Sequence, residues 1–372
     1  MEYQKHAKLV KPLGGKYGRN ELGILGAPCG EIKELVAKLL FELKDKWSTS
    51  YIDAEHNASE DESWSALKYG AQAEFIDKIS FKRTDRLNDE PDFRHSDLTF
   101  INGNHFKADA QIAFVHPKKD LEKKLEKLDN VVLVLLEESV SEIPSFLLAH
   151  LEEKKVPVLN ISEWKDIIEV IVAWLESRKP ILYGLVLTGG KSTRMHQDKA
   201  QLMYHGKPQQ EHLYELLSTV CDKVYLSCRD DVQAATSPYA CISDAFINLG
   251  PYGGILSAFM YEPNVAWLVV AVDLPFLTEA AITDLVTNRN ISKLATCFID
   301  PKNEFPEPLI SIWEPRAYPR MLDFLSKGYS CPRKVLINSD TEVLTKRDVH
   351  ALTNVNTPEE LEVALKEIHV ER

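Results

Sequence analysis

A short stretch near the middle of the chain combines two adjacent glycines with several cationic side chains. Gly189 and Gly190 follow the apolar run 181–187, and the cations that come next are Lys191, Arg194 and Lys199. Adjacent glycines let the backbone turn tightly and direct several N–H groups into one concavity. Such donors bind phosphate oxygens, while lysine and arginine neutralise the remaining negative charge. The stretch therefore predicts a loop that binds a nucleoside triphosphate; the alternative is an ordinary glycine turn with surface lysines.

A single carboxylate ends a second apolar stretch, which begins at Ala266 and reaches Asp273. A carboxylate at the carboxyl end of a buried strand is costly unless a cation accompanies it. Mg²⁺ that bridges triphosphate oxygens is the simplest such cation, because it is held through one or two carboxylates and several waters. We therefore predict that Asp273 binds Mg²⁺ and shares a cavity with Lys199. A role as a helix N-cap is the alternative, since Pro275 lies near the start of the expected helix 278–286.

The elements that position these residues alternate between apolar, β-branched runs and amphipathic segments. The expected strands are 181–187, 223–228, 240–246, 266–272 and 306–313, and the expected helices are 209–220 and 278–286. Ser227 and Asp244 stand at or just after the ends of two of these strands.

The N-terminal half also begins with a strand, a glycine loop and a helix. The strand Glu21–Leu25 runs into 26–30, and a helical pattern starts at Ile32. This is the architecture of a P-loop, but a functional P-loop carries G-x-x-x-x-G-K-[ST], whose lysine neutralises phosphates and whose hydroxyl binds Mg²⁺. Glu31 and Ile32 follow Gly30 instead. We predict a degenerate P-loop that does not hydrolyse nucleotide.

Further strand candidates in this half are 47–56, 97–117, 131–136 and 156–161. Their alternation with helices predicts a parallel sheet covered on both faces. Ligands bind at the carboxyl ends of the strands in such sheets. The polar residues expected there are Asp53, His56, Asn104 and His105, for which capping and loop solvation are the first explanation and ligand binding the second.

The length of the chain and a helix that ends at a proline near its middle predict two domains. A chain of 372 residues is too long for one typical core. Residues 163–178 have the spacing of an amphipathic helix, which Pro180 ends. We predict domains 1–179 and 180–372, joined by a very short linker, each an α/β domain with a mostly parallel sheet and helices on both faces.

Composition excludes several classes of protein. The net charge of −12 argues against a general nucleic-acid binder, which needs a basic face. The first residues lack the apolar core of a signal peptide, and no apolar run approaches the roughly 20 residues of a membrane span. The six cysteines are scattered, which is typical of reduced thiols in a cytoplasmic protein.

The run L-T-G-G-x-x-x-R-M-x-x-D-K at 187–199 resembles the signature of the molybdenum-cofactor guanylyltransferases, the MobA-like nucleotidyltransferases. With small changes the signature also marks cytidylyl- and sugar-nucleotide transferases. G-P-x-x-G-I-L-x-A at 250–258 and N-x-N-T-P-E at 354–359 are similar to further segments of that family. More loosely, residues 20–175 resemble the MobB-like P-loop GTP-binding proteins. The resemblance implies a Rossmann-like nucleotidyltransferase after a degenerate P-loop NTPase-like domain.

The resemblance also implies roles for individual residues. The implied catalytic residues are Arg194, Lys199 and Asp273, with Asp273 as the ligand of Mg²⁺. The implied nucleotide-binding residues are Leu187, Thr188, Gly189, Gly190, Lys199, Ser227, Asp244 and Asp273, and the implied acceptor-binding residues are Gly253, Asn354 and Asn356. The chain departs from the pattern with His196 in place of glycine, Ser227 where many relatives have asparagine, and Glu307 in place of histidine.

The reaction that the resemblance implies is transfer of GMP from GTP–Mg²⁺ to the phosphate of molybdenum-carrying molybdopterin, with release of pyrophosphate. GTP and molybdopterin are then the substrates, and molybdoenzymes or other proteins of the cofactor pathway are further partners. Two alternatives stay open from the residues: a cytidylyl- or sugar-phosphate nucleotidyltransferase with the same site, and a non-catalytic molybdopterin-binding adaptor.

Overall fold

The computed structural model describes residues 16–53, 96–151, 155–188, 198–229, 231–300, 303–345 and 350–370. The chain separates into two compact units, which divide between Lys179 and Pro180. The N-terminal unit begins at Gly18, whereas Lys16 and Tyr17 group with the C-terminal unit. None of the described helices is long and apolar enough to cross a bilayer.

Within its described residues, the N-terminal unit has a six-stranded sheet in the order β2-β3-β1-β4-β5-β6, in which every pairing is parallel. The strands are β1 Asn20–Leu25, β2 Thr49–Ile52, β3 Leu98–Asn102, β4 Ala110–Val115, β5 Val131–Leu136 and β6 Val158–Asn160. The helices are α1 Cys29–Leu43, α2 Ser145–Leu151 and α3 Trp164–Glu176. The range 97–117 thus contains two strands.

The burial of the strands agrees with the parallel pairing of this sheet. Every residue of β3 and β4 is buried, as expected for strands covered on both faces. Helix α1 buries Ile32, Leu35, Val36 and Leu39, which lie on one face at helical spacing. The predicted strand, glycine loop and helix at the start of this unit are therefore present.

The described residues of the C-terminal unit form a seven-stranded sheet in the order β13-β11-β12-β10-β7-β8-β9. Its strands are β7 Leu182–Leu187, β8 Lys223–Cys228, β9 Cys241–Ser243, β10 Ala266–Ala271, β11 Ala295–Ile299, β12 Pro306–Trp313 and β13 Thr341–Leu344. Its helices are α4 Gln209–Ser218, α5 Asp231–Thr236, α6 Pro251–Tyr261, α7 Glu279–Thr287, α8 Ala317–Ser326, α9 Pro332–Ile337 and α10 Pro358–Val370. Strand β12 is antiparallel to both of its neighbours, and the other pairings are parallel.

Helices cover both faces of this sheet, because side chains alternate along each strand. On β7, Val186 packs in one core cluster with Leu213 of α4 and Ile282 of α7. Its neighbour Leu185 packs in the opposite cluster, with Phe259 of α6 and Met321 of α8. The predicted fold class, α/β with mostly parallel sheets, is confirmed.

Strand register places the ends of three strands at one edge of the C-terminal sheet. Leu187, the last residue of β7, pairs with Ser227 on β8 and with Ala271 on β10. The residues that follow these positions therefore leave the sheet side by side. This edge is where ligands bind in open α/β sheets, and among the described residues it includes the predicted site residues Leu187 and Ser227.

Candidate active site

Lys199 and Asp273 lie together at the carboxyl edge of the C-terminal sheet. Lys199 begins a short 3-10 helix, Lys199–Gln201, and Asp273 follows the end of β10 by two residues. The Lys199 Nζ atom is 3.8 Å from the Asp273 Oδ2 atom, and the two side chains are only 18% and 20% exposed. An ion pair this sheltered is screened less than a surface pair.

The segment 355–356 fixes both members of this pair. The Lys199 ammonium donates hydrogen bonds to the Val355 carbonyl at 2.9 Å and to Oδ1 of Asn356 at 2.7 Å. The Val355 backbone N–H in turn donates to the Asp273 carbonyl at 2.9 Å. One strand end, one 3-10 helix and one connecting segment therefore hold the lysine in a single orientation.

The negative charge of the Asp273 carboxylate is only partly compensated by its surroundings. Burial raises the pKa of its carboxyl group above the usual range, and the nearby Lys199 ammonium opposes this shift. Its Oδ1 atom is buried and has no hydrogen-bond partner among the described residues. The N-cap of α7 is Thr278, whose side chain accepts a hydrogen bond from the Ala281 N–H, so the alternative of a capping role for Asp273 is wrong.

The predicted residues near β8 form a second cluster at the same edge. Thr188 Oγ1 donates to the Ser227 carbonyl at 2.5 Å, and Ser227 Oγ donates to Asp244 Oδ1 at 3.0 Å. Burial raises the pKa of the Asp244 carboxyl group, while the Ser227 hydrogen bond opposes this. The Ser227 hydroxyl and the Asp244 carboxylate are therefore joined by a hydrogen bond at this edge of the sheet.

Two glycines bring the start of α6 close to this cluster. A Cβ atom on Gly254 would lie 2.9 Å from Ser227 Oγ and 2.8 Å from Leu187 Cδ2. A Cβ atom on Gly253 would lie 2.2 Å from the Phe246 carbonyl oxygen. Backbone packing therefore accounts for the glycine at 253, whose implied role in acceptor binding stays a prediction.

The N-x-N-T-P-E segment divides into a structural part and a polar part. Thr357 Oγ1 accepts from the Glu360 N–H at 3.2 Å, and the Glu360 carboxylate accepts from the Thr357 N–H at 3.2 Å. This is the reciprocal capping box of α10. Asn356 belongs to the polar part through its contact with Lys199, and Asn354 lies two residues before it.

Several predicted residues of the loop lie outside the described part of the chain. These are Gly189, Gly190, Lys191, Arg194 and His196. The structure places the two ends of the loop: Thr188 bonded to β8, and Asp198, whose Oδ1 atom accepts from the Ala200 N–H at 3.0 Å. Asp198 therefore caps the 3-10 helix that carries Lys199.

Sequence reasoning left Glu307 unexplained, and the structure assigns it a partner. Its carboxylate is buried and accepts from Arg333 Nη2 at 2.8 Å, while Asp300 lies 3.4 Å from the same guanidinium. Burial raises the pKa of Glu307, and Arg333 lowers it. The contact ties β12 to α9. No local sequence signal pairs residues so far apart.

Residues at the start of α1 and after β2 in the N-terminal unit, where the sequence predicts a degenerate P-loop and a polar groove, have internal partners. Glu31, in the first turn of α1, lies 2.5 Å from Nε2 of His116 and 3.3 Å from Nζ of Lys118. Asp53 accepts hydrogen bonds from the Tyr51 hydroxyl and the Asn102 amide, both at 2.8 Å. His56 lies outside the described residues. Local hydrogen bonding thus accounts for Asp53.

Comparison with known proteins finds a family match within the C-terminal unit. Residues 184–343 match the family model of the MobA-like NTP transferase domain. The match covers less than half of the chain, and it makes this part of the C-terminal unit similar to nucleotidyltransferase domains. The resemblance of the N-terminal unit to MobB-like proteins stays a prediction.

Individual relatives are named more specifically. A molybdenum cofactor biosynthesis bifunctional protein of Synechocystis sp. is 34% identical over 48% of this chain and 52% of its own length. A probable molybdenum cofactor guanylyltransferase of Flavobacterium johnsoniae is 26% identical over 47% of this chain and 92% of its own length. The chain thus spans about half the length of the first relative. Among solved structures, molybdopterin-guanine dinucleotide biosynthesis protein A from Archaeoglobus fulgidus is 22% identical, with a TM-score of 0.43 over 51% of this chain and 100% of that chain.

Proposed function

We propose that the chain transfers GMP from GTP to the phosphate of molybdopterin and releases pyrophosphate. The observation that carries the proposal is the contact of Lys199 with Asp273 and Asn356 at the carboxyl edge of a MobA-like domain. The name of the Flavobacterium johnsoniae relative supports guanylyl transfer in molybdenum cofactor synthesis, and the resemblance of the loop signature implies GTP and molybdopterin as the substrates. Delivery of the product to molybdoenzymes in the cytoplasm belongs to the same proposal.

The chemistry requires positioning and neutralisation of charge. The phosphate of the acceptor is already anionic, so no strong general base has to remove a proton from it. Lys199, fixed by Asn356 and the Val355 carbonyl, holds a phosphate oxygen of the triphosphate. Arg194 and the backbone N–H groups of Gly189 and Gly190 supply the remaining phosphate contacts. Preorganised donors of this kind stabilise the charge that develops in the transition state.

A divalent cation fits the donor set at Asp273. Its buried Oδ1 atom, which has no protein donor among the described residues, is the hard oxygen ligand that Mg²⁺ prefers. Within the described ranges no group of three or more His, Cys, Asp or Glu side chains could hold a metal ion. Asp273 would therefore share Mg²⁺ with substrate oxygens and water, where the ion neutralises phosphate charge.

The Ser227–Asp244 pair favours guanine over cytosine. Guanine presents two neighbouring donors, N1–H and the N2 amino group, whereas cytosine presents one donor beside an acceptor. A carboxylate only accepts hydrogen bonds when ionised, so Asp244 complements the guanine edge. This argument supports GTP over the cytidylyl alternative that the sequence left open.

Two variants test the proposal directly. Lys199→Ala and Asp273→Ala should each abolish pyrophosphate release from GTP, Mg²⁺ and molybdopterin, while circular dichroism shows an intact fold. Turnover like that of the wild type in either variant would end the assignment. Calorimetry with GTP and Mg²⁺ separates an enzyme from an adaptor, because an inactive adaptor would show no metal-dependent binding of the triphosphate.

A further inference from the structure

The N-terminal unit holds a thiol–imidazole pair that the proposed function does not use. Cys29 is the first residue of α1, and its Sγ atom lies 3.2 Å from Nε2 of His105. Both residues are partly exposed. The strands that precede them, β1 and β3, are adjacent and parallel, so their carboxyl ends bring the two side chains together. A thiol in contact with an imidazole can pass its proton to the ring and become a nucleophile.

Two lysines bind Asn104, the neighbour of His105 in the chain. The Asn104 amide nitrogen is 3.8 Å from the Cys29 Sγ atom, and the Asn104 side-chain oxygen accepts a hydrogen bond from Lys124. Nζ of Lys127 is 3.4 Å from the Asn104 carbonyl. Burial lowers the pKa of Lys124, and the neighbouring ammonium groups of Lys119 and Lys127 lower it further. The thiol therefore lies beside clustered lysines and at the positive end of a 15-residue helix.

We propose that Cys29 is a modification site for an anionic disulfide of low molecular weight. The Cys29 proton moves to His105 Nε2, and the thiolate attacks one sulfur of the disulfide. A new S–S bond forms, the original S–S bond breaks, and the departing thiolate takes the proton from His105. Lys124 and Lys127 attract the carboxylates of the incoming disulfide, which selects it over a cationic one.

Another cysteine of the same chain provides an internal reference. The six cysteines are free thiols, and Cys331 is the exposed one, whereas Cys29 is only partly exposed. If exposure alone governed thiol chemistry, Cys331 would react first. A faster reaction at Cys29 would therefore show that the neighbouring histidine and lysines increase the reactivity of its thiol.

The experiment uses the full chain in its native state, with glutathione disulfide as the anionic probe and cystamine as the cationic probe. Mass spectrometry follows each adduct at each cysteine over time. We expect glutathione to attach to Cys29 at least about tenfold faster than to Cys331. His105→Gln should remove this advantage, whereas the matched control His150→Gln, a surface histidine of the same unit, should retain it. Lys124→Ala should slow the reaction with glutathione disulfide but not that with cystamine.

Three results would overturn the inference. The first is modification of Cys331 as fast as Cys29 in the wild type, a comparison that needs no variant. The second is an unchanged Cys29 rate in a His105→Gln protein whose thermal unfolding shows that it is folded. The third is a Cys29 rate with cystamine equal to that with glutathione disulfide. Each result is independent of nucleotidyl transfer, so failure here and failure of the proposed function are distinguishable.

Discussion

The side-chain oxygen of Asn356 accepts a hydrogen bond from Nζ of Lys199 at 2.7 Å, across 157 residues of chain. The same ammonium lies 3.8 Å from Asp273, so Asn356 orients the cation that faces the carboxylate. This geometry supports a positioning role for Asn356, whereas Asn354 keeps the role in acceptor binding that the family resemblance implies.

The two asparagines should therefore differ in their kinetic effects. We expect Asn356→Ala to lower kcat for pyrophosphate release by about 100-fold, because a misplaced ammonium no longer meets the phosphate. The KM for molybdopterin should change little. Asn354→Ala should instead raise that KM with kcat nearly unchanged. Steady-state kinetics of both variants check this, and an Asn356→Ala variant with only a raised acceptor KM would contradict the positioning role.

Asp273 should weaken the folded state when it is ionised. Its pKa is raised on folding by burial, so the native state binds the proton more tightly than the unfolded state does. The contribution of this group to the free energy of unfolding is therefore greatest below the ordinary pKa of aspartate. It is lost as the pH rises through the higher pKa of the folded state. We expect Asp273→Asn, with chelator present, to raise the Tm at pH 7 by about 2–4 °C.

The control for this prediction is the pH dependence of the difference in Tm between Asp273→Asn and the wild type. The gain from Asp273→Asn should shrink as pH falls towards about 4, where the wild-type carboxyl group becomes protonated in both states. Thermal unfolding at a series of pH values measures it. A lower Tm for the variant at pH 7 would show that Lys199 compensates fully for the buried charge.

Asp244 should govern the choice of base. Replacing the carboxylate by an amide in Asp244→Asn removes an acceptor that complements guanine, so the preference for GTP over CTP should fall by about tenfold. Calorimetric titration with both nucleotides measures the ratio. Ser227→Ala is the matched control, since it removes the hydrogen bond to Asp244 but keeps the carboxylate. An unchanged ratio in Asp244→Asn would place base recognition elsewhere.

The neighbouring glycines of α6 should respond differently to an added methyl group. In Gly253→Ala the new Cβ would meet a backbone oxygen, that of Phe246, at 2.2 Å, which forces the chain to move and should cost about 2 kcal/mol of stability. In Gly254→Ala the nearest atoms belong to the ends of the Leu187 and Ser227 side chains, which can adjust. Urea unfolding of both variants tests whether Gly253→Ala lowers the free energy of unfolding more than Gly254→Ala does. Equal decreases in the two variants would refute this prediction.

A buried ion pair away from the site should contribute to stability without affecting chemistry. Arg289 donates two hydrogen bonds to Glu314, at 2.6 and 2.9 Å, and the Glu314 side chain is only 1% exposed. Arg289→Met would leave that carboxylate unpaired in the interior, at a cost of about 3–5 kcal/mol. The double variant Arg289→Met/Glu314→Leu should lose less than the single one. A single variant as stable as the wild type would contradict this reasoning.

The sequence alone determined the local elements and the class of site. The apolar runs 223–228 and 306–313 became β8 and β12 with the same bounds, because β-branched and apolar runs between turn residues leave few alternatives. Thr357 and Glu360 form a capping box, a feature that depends only on residues three positions apart and can therefore be predicted from sequence. The glycine loop, the cations and the carboxylate likewise predicted a site for a triphosphate with Mg²⁺, and the resemblance of the loop signature implied a nucleotidyltransferase.

The tertiary structure decided which of these residues meet. No periodicity announces that Asn356 binds Lys199, that Arg333 neutralises Glu307, or that Cys29 lies beside His105. Such contacts depend on strand order and register, which are set by the packing of the whole sheet and its helices. Residues far apart in sequence carry no local signal of their pairing, so the orientation of Lys199 becomes visible only once the sheet edge is assembled.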